Sequence, residues 1–128
     1  MTRALIFAYC LLVAPTAQAA SWQVVDMGRL FKERHCMEAA TTTFQALLGE
    51  AQIGSLSASS WVAQANGING RHDAVITCTH GDARGTRATL VLHSSGRAVD
   101  GHFLAQRIAL LFEDRLQQIT QAWKDSYK

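Results

Sequence analysis

The sequence predicts an α+β fold, a two-layer sandwich in which two helices pack on one face of a three- to four-stranded antiparallel sheet. Apolar residues recur at helical spacing in two segments, and three runs of strand-favouring residues lie consecutively between them, separated by turn residues. An amphipathic helix and a sheet with one apolar face bury each other most simply as two layers. The predicted order is therefore (β)-α-β-β-β-α, where the bracketed strand decides between three strands and four.

The first twenty residues have the layout of a cleavable secretory signal. A positive start at Arg3 is followed by an apolar run over residues 4–14 and by the small residues that signal peptidase favours. The run is too short to cross the roughly 30 Å of bilayer hydrocarbon, which needs about 20 residues. We expect cleavage near Ala19 or Ala20, and a periplasmic or secreted protein with no stable membrane anchor.

The remaining residues, 21–128, are expected to form a single small domain with one disulfide. Of the three cysteines, Cys10 lies in the predicted signal, which leaves Cys36 and Cys78. An exported protein with two cysteines usually joins them. The chain-entropy model assigns a crosslink over a loop of this length about 4 kcal/mol. The alternative is a redox or metal-binding pair, although the two cysteines do not form a Cys-x-x-Cys unit.

Each predicted element has its own signal. Residues 22–27 alternate like a short extended segment, and a helix is predicted from residue 34 to about residue 51, with Gly49 and Gly54 near its end. Strands are predicted at residues 60–65, 72–80 and 86–93, with the two Asn-Gly pairs of residues 66–70 as a hairpin loop. The apolar face of this first helix is formed by Cys36, Ala39, Ala40, Phe44, Leu47, Leu48 and Ala51.

A long second helix is predicted over residues 99–124, with Asp100 as its N-cap. Its apolar stripe consists of Leu104, Ile108, Leu111, Phe112, Leu116, Ile119 and Trp123. Cys36 lies on the apolar side of the first helix, and alternation places Cys78 on the strand face that meets it. The predicted disulfide therefore joins helix to sheet.

The charge pattern gives no sign of a nucleic-acid partner. The formal net charge is +2, of which Arg3 contributes one unit, and the lysines and arginines are scattered among acidic residues instead of forming a basic stripe. No stretch carries a specific cofactor or metal motif, so no cofactor is expected.

Two groups of residues could carry chemistry, and both have simpler explanations. Ser94, Ser95, Asp100 and His102 cluster in sequence, but turn and cap roles explain them and no Gly-x-Ser-x-Gly elbow is present. The sequence His35-Cys36-Met37 offers soft ligands, yet successive helical residues fan out by about 100°. We therefore assign no catalytic residue and no metal ligand. Burial in the core is the favoured interpretation of Trp22, Trp61 and Trp123.

The predicted sheet leaves one face uncovered, and this face is the candidate interaction surface. Its predicted residues are Val75, Thr77, Thr79, Thr89, Val91 and His93, with Val62, Gln64 and Arg87 beside them. The sequence therefore favours a non-enzymatic protein-interaction module that binds another exported protein or a second copy of itself. The alternative is a periplasmic protein that binds a small ligand or metal through histidine and tryptophan residues.

Overall fold

A computed structural model describes residues 20–30, 32–51, 54–80 and 85–128 of the chain. Apart from Ala20, the predicted signal lies outside these residues. The strands are β1 (Ser21–Leu30), β2 (Ser55–Ala58), β3 (Val62–Ile68), β4 (His72–His80) and β5 (Thr86–Ser94), and the helices are α1 (Glu33–Ala51) and α2 (Ala98–Asp125). Neither helix is long and apolar enough to cross a membrane.

The α+β class is confirmed, but the expected strand count of three to four is too low. The described residues form a five-stranded antiparallel sheet in the order β1-β5-β4-β3-β2. The strand that was not predicted is β2, whose sequence Ser-Leu-Ser-Ala contains no β-branched or aromatic residue. It pairs with β3 at the edge of the sheet, where only Leu56 packs against the core. The pairing with β3 is therefore what makes this segment a strand, and local propensity cannot reveal such a pairing.

The first strand is longer than the segment predicted at residues 22–27. Its side chains alternate between exposed and half-buried along β1, as a strand with one covered face requires. A bulge interrupts its pairing with β5 between Asp26 and Arg29, and Gly28 adopts a φ of 93° there. The backbone N–H of Gly28 donates to Oδ1 of Asp26 at 3.0 Å.

The two Asn-Gly pairs have different roles, although the sequence predicted one hairpin loop over residues 66–70. Asn66 and Gly67 belong to β3, in a stretch where the register with β4 shifts. The reversal itself comes at Asn69 and Gly70, both of which have positive φ. The N–H of Gly70 donates to the carbonyl of Gly67 at 2.9 Å. The first pair thus forms a bulge and the second the turn, two structures for which the same dipeptide is suited.

One cluster of buried side chains joins the sheet to both helices. Its largest fully buried members include Phe44 of α1, Phe112 of α2, Ile76 of β4 and Leu90 of β5. The strand residues in it occupy alternate positions, so α1 and α2 cover the same face of the sheet. The predicted stripe of α2 is buried at its N-terminal half, whereas Leu111, Leu116 and Ile119 are only partly buried.

The predicted disulfide is present and joins α1 to β4. Cys36 and Cys78 are both fully buried, and their Cα atoms lie 6.0 Å apart. Ala74 and Ile76, which the alternation placed on the same face as Cys78, are fully buried beside it, while His80 at the strand end is exposed. The bond therefore lies in the layer between helix and sheet.

The start of α2 differs from the prediction. Its N-cap is Arg97, which makes no side-chain cap, and Asp100 lies inside the first turn instead of capping it. The carboxylate of Asp100 pairs with the Arg97 guanidinium at 3.3 Å and lies where negative charge suits the helix dipole. The helix crosses the sheet closely at Gly101, where an added Cβ would lie 3.0 Å from Cβ of Ser94.

Candidate interaction face of the sheet

The structure places all six residues of the predicted surface on the side of the sheet that faces away from the core. Along β4 and β5 the buried side chains alternate with half-buried or exposed ones, and the second set contains Val75, Thr77, Thr79, Thr89, Val91 and His93. Val62 and Gln64 of β3 continue this face, as do Trp22 and Val24 of β1. We call these residues, together with Arg87, the outer face. Both described helices lie on the other side.

Strand register arranges the outer face in rows across the sheet. Val24 pairs with Val91, and Val91 pairs with Val75, which pairs in turn with Gln64. Side chains directly opposite on antiparallel strands lie about 5 Å apart, so the three valines form one continuous apolar row. The next row contains Thr89 and Thr77, and the Thr77 hydroxyl donates to the carbonyl of Thr89 at 3.5 Å. The centre of the outer face is therefore apolar or neutral.

The most exposed apolar side chains of this face are on β1. Trp22 is 66 % exposed and Val24 is 69 % exposed. The ring of Trp22 contacts that of His93, with 4.6 Å between the centroids and an angle of 44° between the planes. An indole held against a neighbouring ring presents a large apolar surface with little conformational freedom left to lose. Such tryptophans are enriched among the residues that dominate protein interfaces.

One ion pair occupies the border of the outer face. The Arg87 guanidinium lies 2.8 Å from a carboxylate oxygen of Asp26. The hydrogen bond from the Gly28 N–H and the adjacent Arg87 lower the pKa of Asp26, against the opposing effect of its desolvation. Because both partners are about half exposed, this pair contributes little stability. Its consequence is that the two charges cancel locally.

The residues considered for catalysis do not converge. The Ser95 hydroxyl donates to the carbonyl of Arg71 at 3.0 Å, while Asp100 pairs with Arg97. His102 is exposed on α2, and its ring lies beside that of Phe103. No hydrogen bond links these three side chains among the described residues, so they form no nucleophile-base-orienter arrangement there.

The histidines are dispersed. His35 and His72 are buried on α1 and β4, whereas His80 is exposed with Nδ1 at 3.9 Å from Glu33. Burial is the main cause that lowers the pKa of His35 and of His72. Within the described ranges, no three His, Cys, Asp or Glu side chains lie close enough to hold one metal ion. With Cys36 in the disulfide, the His35-Cys36-Met37 sequence loses its thiolate.

The expectation that the tryptophans fill the core is wrong. Trp22 and Trp61 are more than half exposed, and Trp123 is half-buried near the end of α2. The core is filled instead by aliphatic residues, alanines and two phenylalanines. Trp123 lies edge-on to His35, with ring centroids 5.9 Å apart, at a pocket between α1 and α2.

Sequence reasoning identified the strands at the centre of the outer face but missed its most exposed residues. Trp22 and Val24 were placed on one side of the weakly signalled first strand, the fourth of a three- to four-stranded sheet, and were not included in the predicted surface. The alternation itself ends at the bulge near Gly28, so it could not show which strand β1 would pair with.

Comparison with protein-family models, with curated proteins and with solved structures gives no significant match for this chain. The class that can be stated is therefore structural: an α+β protein with a five-stranded antiparallel sheet and one helix-to-sheet disulfide.

Proposed function

We propose that this chain is an exported, non-enzymatic module that binds a protein partner through the outer face of its sheet. The observation that carries the proposal is the exposure of Trp22 and Val24 beside the half-buried valines Val91 and Val75 of the inner strands on one uncovered face. Export is supported by the disulfide, which persists in oxidising compartments, and by the signal predicted at residues 1–20.

The partner that this face fits best is a second copy of the chain. The face bears few charges: Asp26 is paired with Arg87, and Asp73, which lies on the same side at the start of β4, keeps its charge and accepts a hydrogen bond from the Gly67 N–H at Oδ1. Two such faces would meet without strong like-charge repulsion, and their valine rows would remove apolar surface from water on both sides. A two-fold arrangement of this kind is the commonest symmetry of soluble oligomers.

The size of the face is sufficient for a specific dimer. Its four long strands contain seven to ten residues each. With strands about 4.8 Å apart and a rise of about 3.3 Å per residue, the face measures roughly 600 Å² in projection. Pairing two copies would bury about 1,200 Å² in total or more, which reaches the lower end of the range for stable interfaces. Two sheets packed in this way lie about 10 Å apart.

The decisive experiment compares matched charge substitutions on the two sides of the molecule. Val24→Lys alters a 69 % exposed residue of the outer face, and Leu110→Lys alters a 67 % exposed residue of α2. Both sites are open to solvent in the single chain, so neither substitution should prevent folding. We expect the mature wild-type protein to sediment as a dimer, Val24→Lys to weaken dimerisation at least tenfold, and Leu110→Lys to leave it unchanged.

Two results would overturn the proposed dimer. A wild-type protein that remains monomeric up to high micromolar concentration has no self-association to explain. Dissociation by Leu110→Lys but not by Val24→Lys would place the interface on α2. If the monomer instead forms a purified one-to-one complex with a different exported protein, and Val24→Lys abolishes that complex, the face binds a partner other than a second copy.

A second candidate function is small-ligand binding, the alternative that the histidines and tryptophans suggested. The observation that favours it is the pocket at which His35 and Trp123 meet. The metal-binding version gains no such support from the described residues.

A further inference from the structure

The pocket between the helices has an apolar interior. It encloses about 440 Å³ where the end of β1, the first turn of α1 and the C-terminal part of α2 meet. Leu30, Leu116 and Trp123 supply its apolar walls, and the imidazole of His35 and the side chain of Thr120 also contribute to the lining. Pockets of this size with mostly apolar walls and a few polar groups are typical of small-molecule sites.

The charged side chains that line the pocket all have one sign. Arg29, Lys32 and Lys124 line it, and none of the described residues that line it is acidic. The Nζ atom of Lys32 lies 3.7 Å from the centroid of the Trp123 ring, so one cation is held directly over an apolar wall. The nearest acidic neighbour on the C-terminal turn, Asp125, is engaged by Lys128 and Gln121. The rim therefore attracts an anion while the interior favours a hydrocarbon.

We propose that this pocket binds a small amphipathic anion, in which an unbranched acyl chain carries a single carboxylate. The acyl chain would lie between Leu30, Leu116 and the Trp123 ring, and the carboxylate would accept hydrogen bonds from Arg29 and Lys124. Lys32 would supply the third positive charge from its position over the indole. The site lies on the helix side of the sheet, so its occupation is independent of the outer face.

Three ligands with the same ten-carbon chain test the choice of charge: decanoate, decanol and decyltrimethylammonium. We expect calorimetry to detect decanoate binding, with decanol binding more weakly and decyltrimethylammonium more weakly still. The head groups are anionic, neutral and cationic, so their affinity for the positively charged rim should fall in that order. The indole N–H signals of the three tryptophans provide a local reporter by NMR. Decanoate should shift the signal of Trp123 and leave those of Trp22 and Trp61 in place.

Substitutions at the rim test the location. Lys124→Gln and Arg29→Gln should each weaken decanoate binding about three- to tenfold, the net effect expected for one hydrogen bond at a solvent-exposed rim, without changing decanol binding. Arg34→Gln is the matched control. Arg34 is an exposed cation beside His35 in the first turn of α1, but it does not line the pocket. It should leave decanoate binding unchanged.

Several outcomes would overturn the assignment. Equal binding of decanoate and decyltrimethylammonium would show that the cations do not select the ligand, and no binding of any of the three would show that the pocket is not a site for such chains. Unchanged decanoate binding in the Arg29→Gln/Lys124→Gln double variant would place the ligand elsewhere. Co-sedimentation of the wild type, but not of this variant, with phosphatidylglycerol vesicles would assign the cations to a membrane surface instead.

Discussion

His72 is a buried base whose Nδ1 atom has no hydrogen-bond partner among the described residues. Burial lowers the pKa of its imidazole below 6.5, while the negative charge of Asp100 partly opposes this effect. The unfolded chain therefore binds a proton more readily than the folded protein. The stability that depends on a neutral imidazole is present above about pH 6.5 and is lost as the pH falls through the lower pKa of the folded state.

We expect thermal unfolding to show this loss of stability at acidic pH. The wild-type protein should unfold at a lower temperature at pH 5.5 than at pH 7.5, and His72→Gln should reduce the difference because it removes one of the two buried imidazoles. His102→Gln, at an exposed position of α2, is the control and should retain the full difference. A pH dependence that is the same in all three proteins would show that His72 does not contribute to it.

Individual residues also show what the sequence could not reveal. Cys36 and Cys78 were paired correctly because the expected compartment, the count and the helical and strand periods all pointed to one bond. The proximity of His35 to Trp123 was not predictable, since these residues are separated by most of the chain and meet only through the packing of α1 against α2. Asp100 had the right residue type for an N-cap, but the helix begins two residues earlier.

Among the elements, α1 and β4 depend on each other through the disulfide. Cys36→Ala and Cys78→Ala should each lower the free energy of unfolding by about 2 to 4 kcal/mol. The double variant should be no less stable than the less stable of the two single variants, because either substitution already removes the bond. Chemical denaturation measures all three differences. Additive losses would show that the cysteines contribute separately and are not joined.

The two helices differ in how they tolerate a side chain in place of glycine. An added Cβ at Gly49 of α1 meets no atom within 4 Å, so Gly49→Ala should stabilise the protein by about 0.5 to 1 kcal/mol through helix propensity. At Gly101 of α2 the Cβ would press on Ser94 and on the Ser21 hydroxyl. Gly101→Val should therefore destabilise by about 1 to 3 kcal/mol. If the denaturation midpoints of Gly49→Ala and Gly101→Val moved in the same direction, the close approach of α2 to the sheet at Gly101 would be contradicted.

The elements that the sequence predicted best are those whose pattern is repeated several times. The 28 residues of α2 and the nine of β4 carry enough periodic positions to define their limits within about a residue. The four residues of β2 do not define a strand in this way, because one inward-facing residue, Leu56, cannot establish an alternating pattern. The Asn-Gly pairs of β3 and its turn show a different limit: one dipeptide suits both a bulge and a reversal, and only strand register separates them.

For the whole molecule, the α+β class and the helix-to-sheet disulfide followed from the sequence, but the strand count and the strand order did not. Two amphipathic helices and a one-sided sheet imply a helical layer on one face and an uncovered second face. Nothing local required β1 to lie against β5, at the edge opposite to β2. That placement brings Trp22 and Val24 next to His93 and Val91, and thereby turns a Thr- and Val-containing sheet into the apolar surface on which the proposed function rests.

The central claim, that this outer face is covered by a partner, can be tested by one NMR measurement. In the single chain the side chains of Val24 and Leu110 are 69 % and 67 % exposed, so a soluble paramagnetic agent should broaden their methyl signals equally. If two copies pair through the outer face, the methyl signals of Val24 are protected at high protein concentration while those of Leu110 remain broadened. Equal broadening of both at every concentration would contradict the proposed dimer.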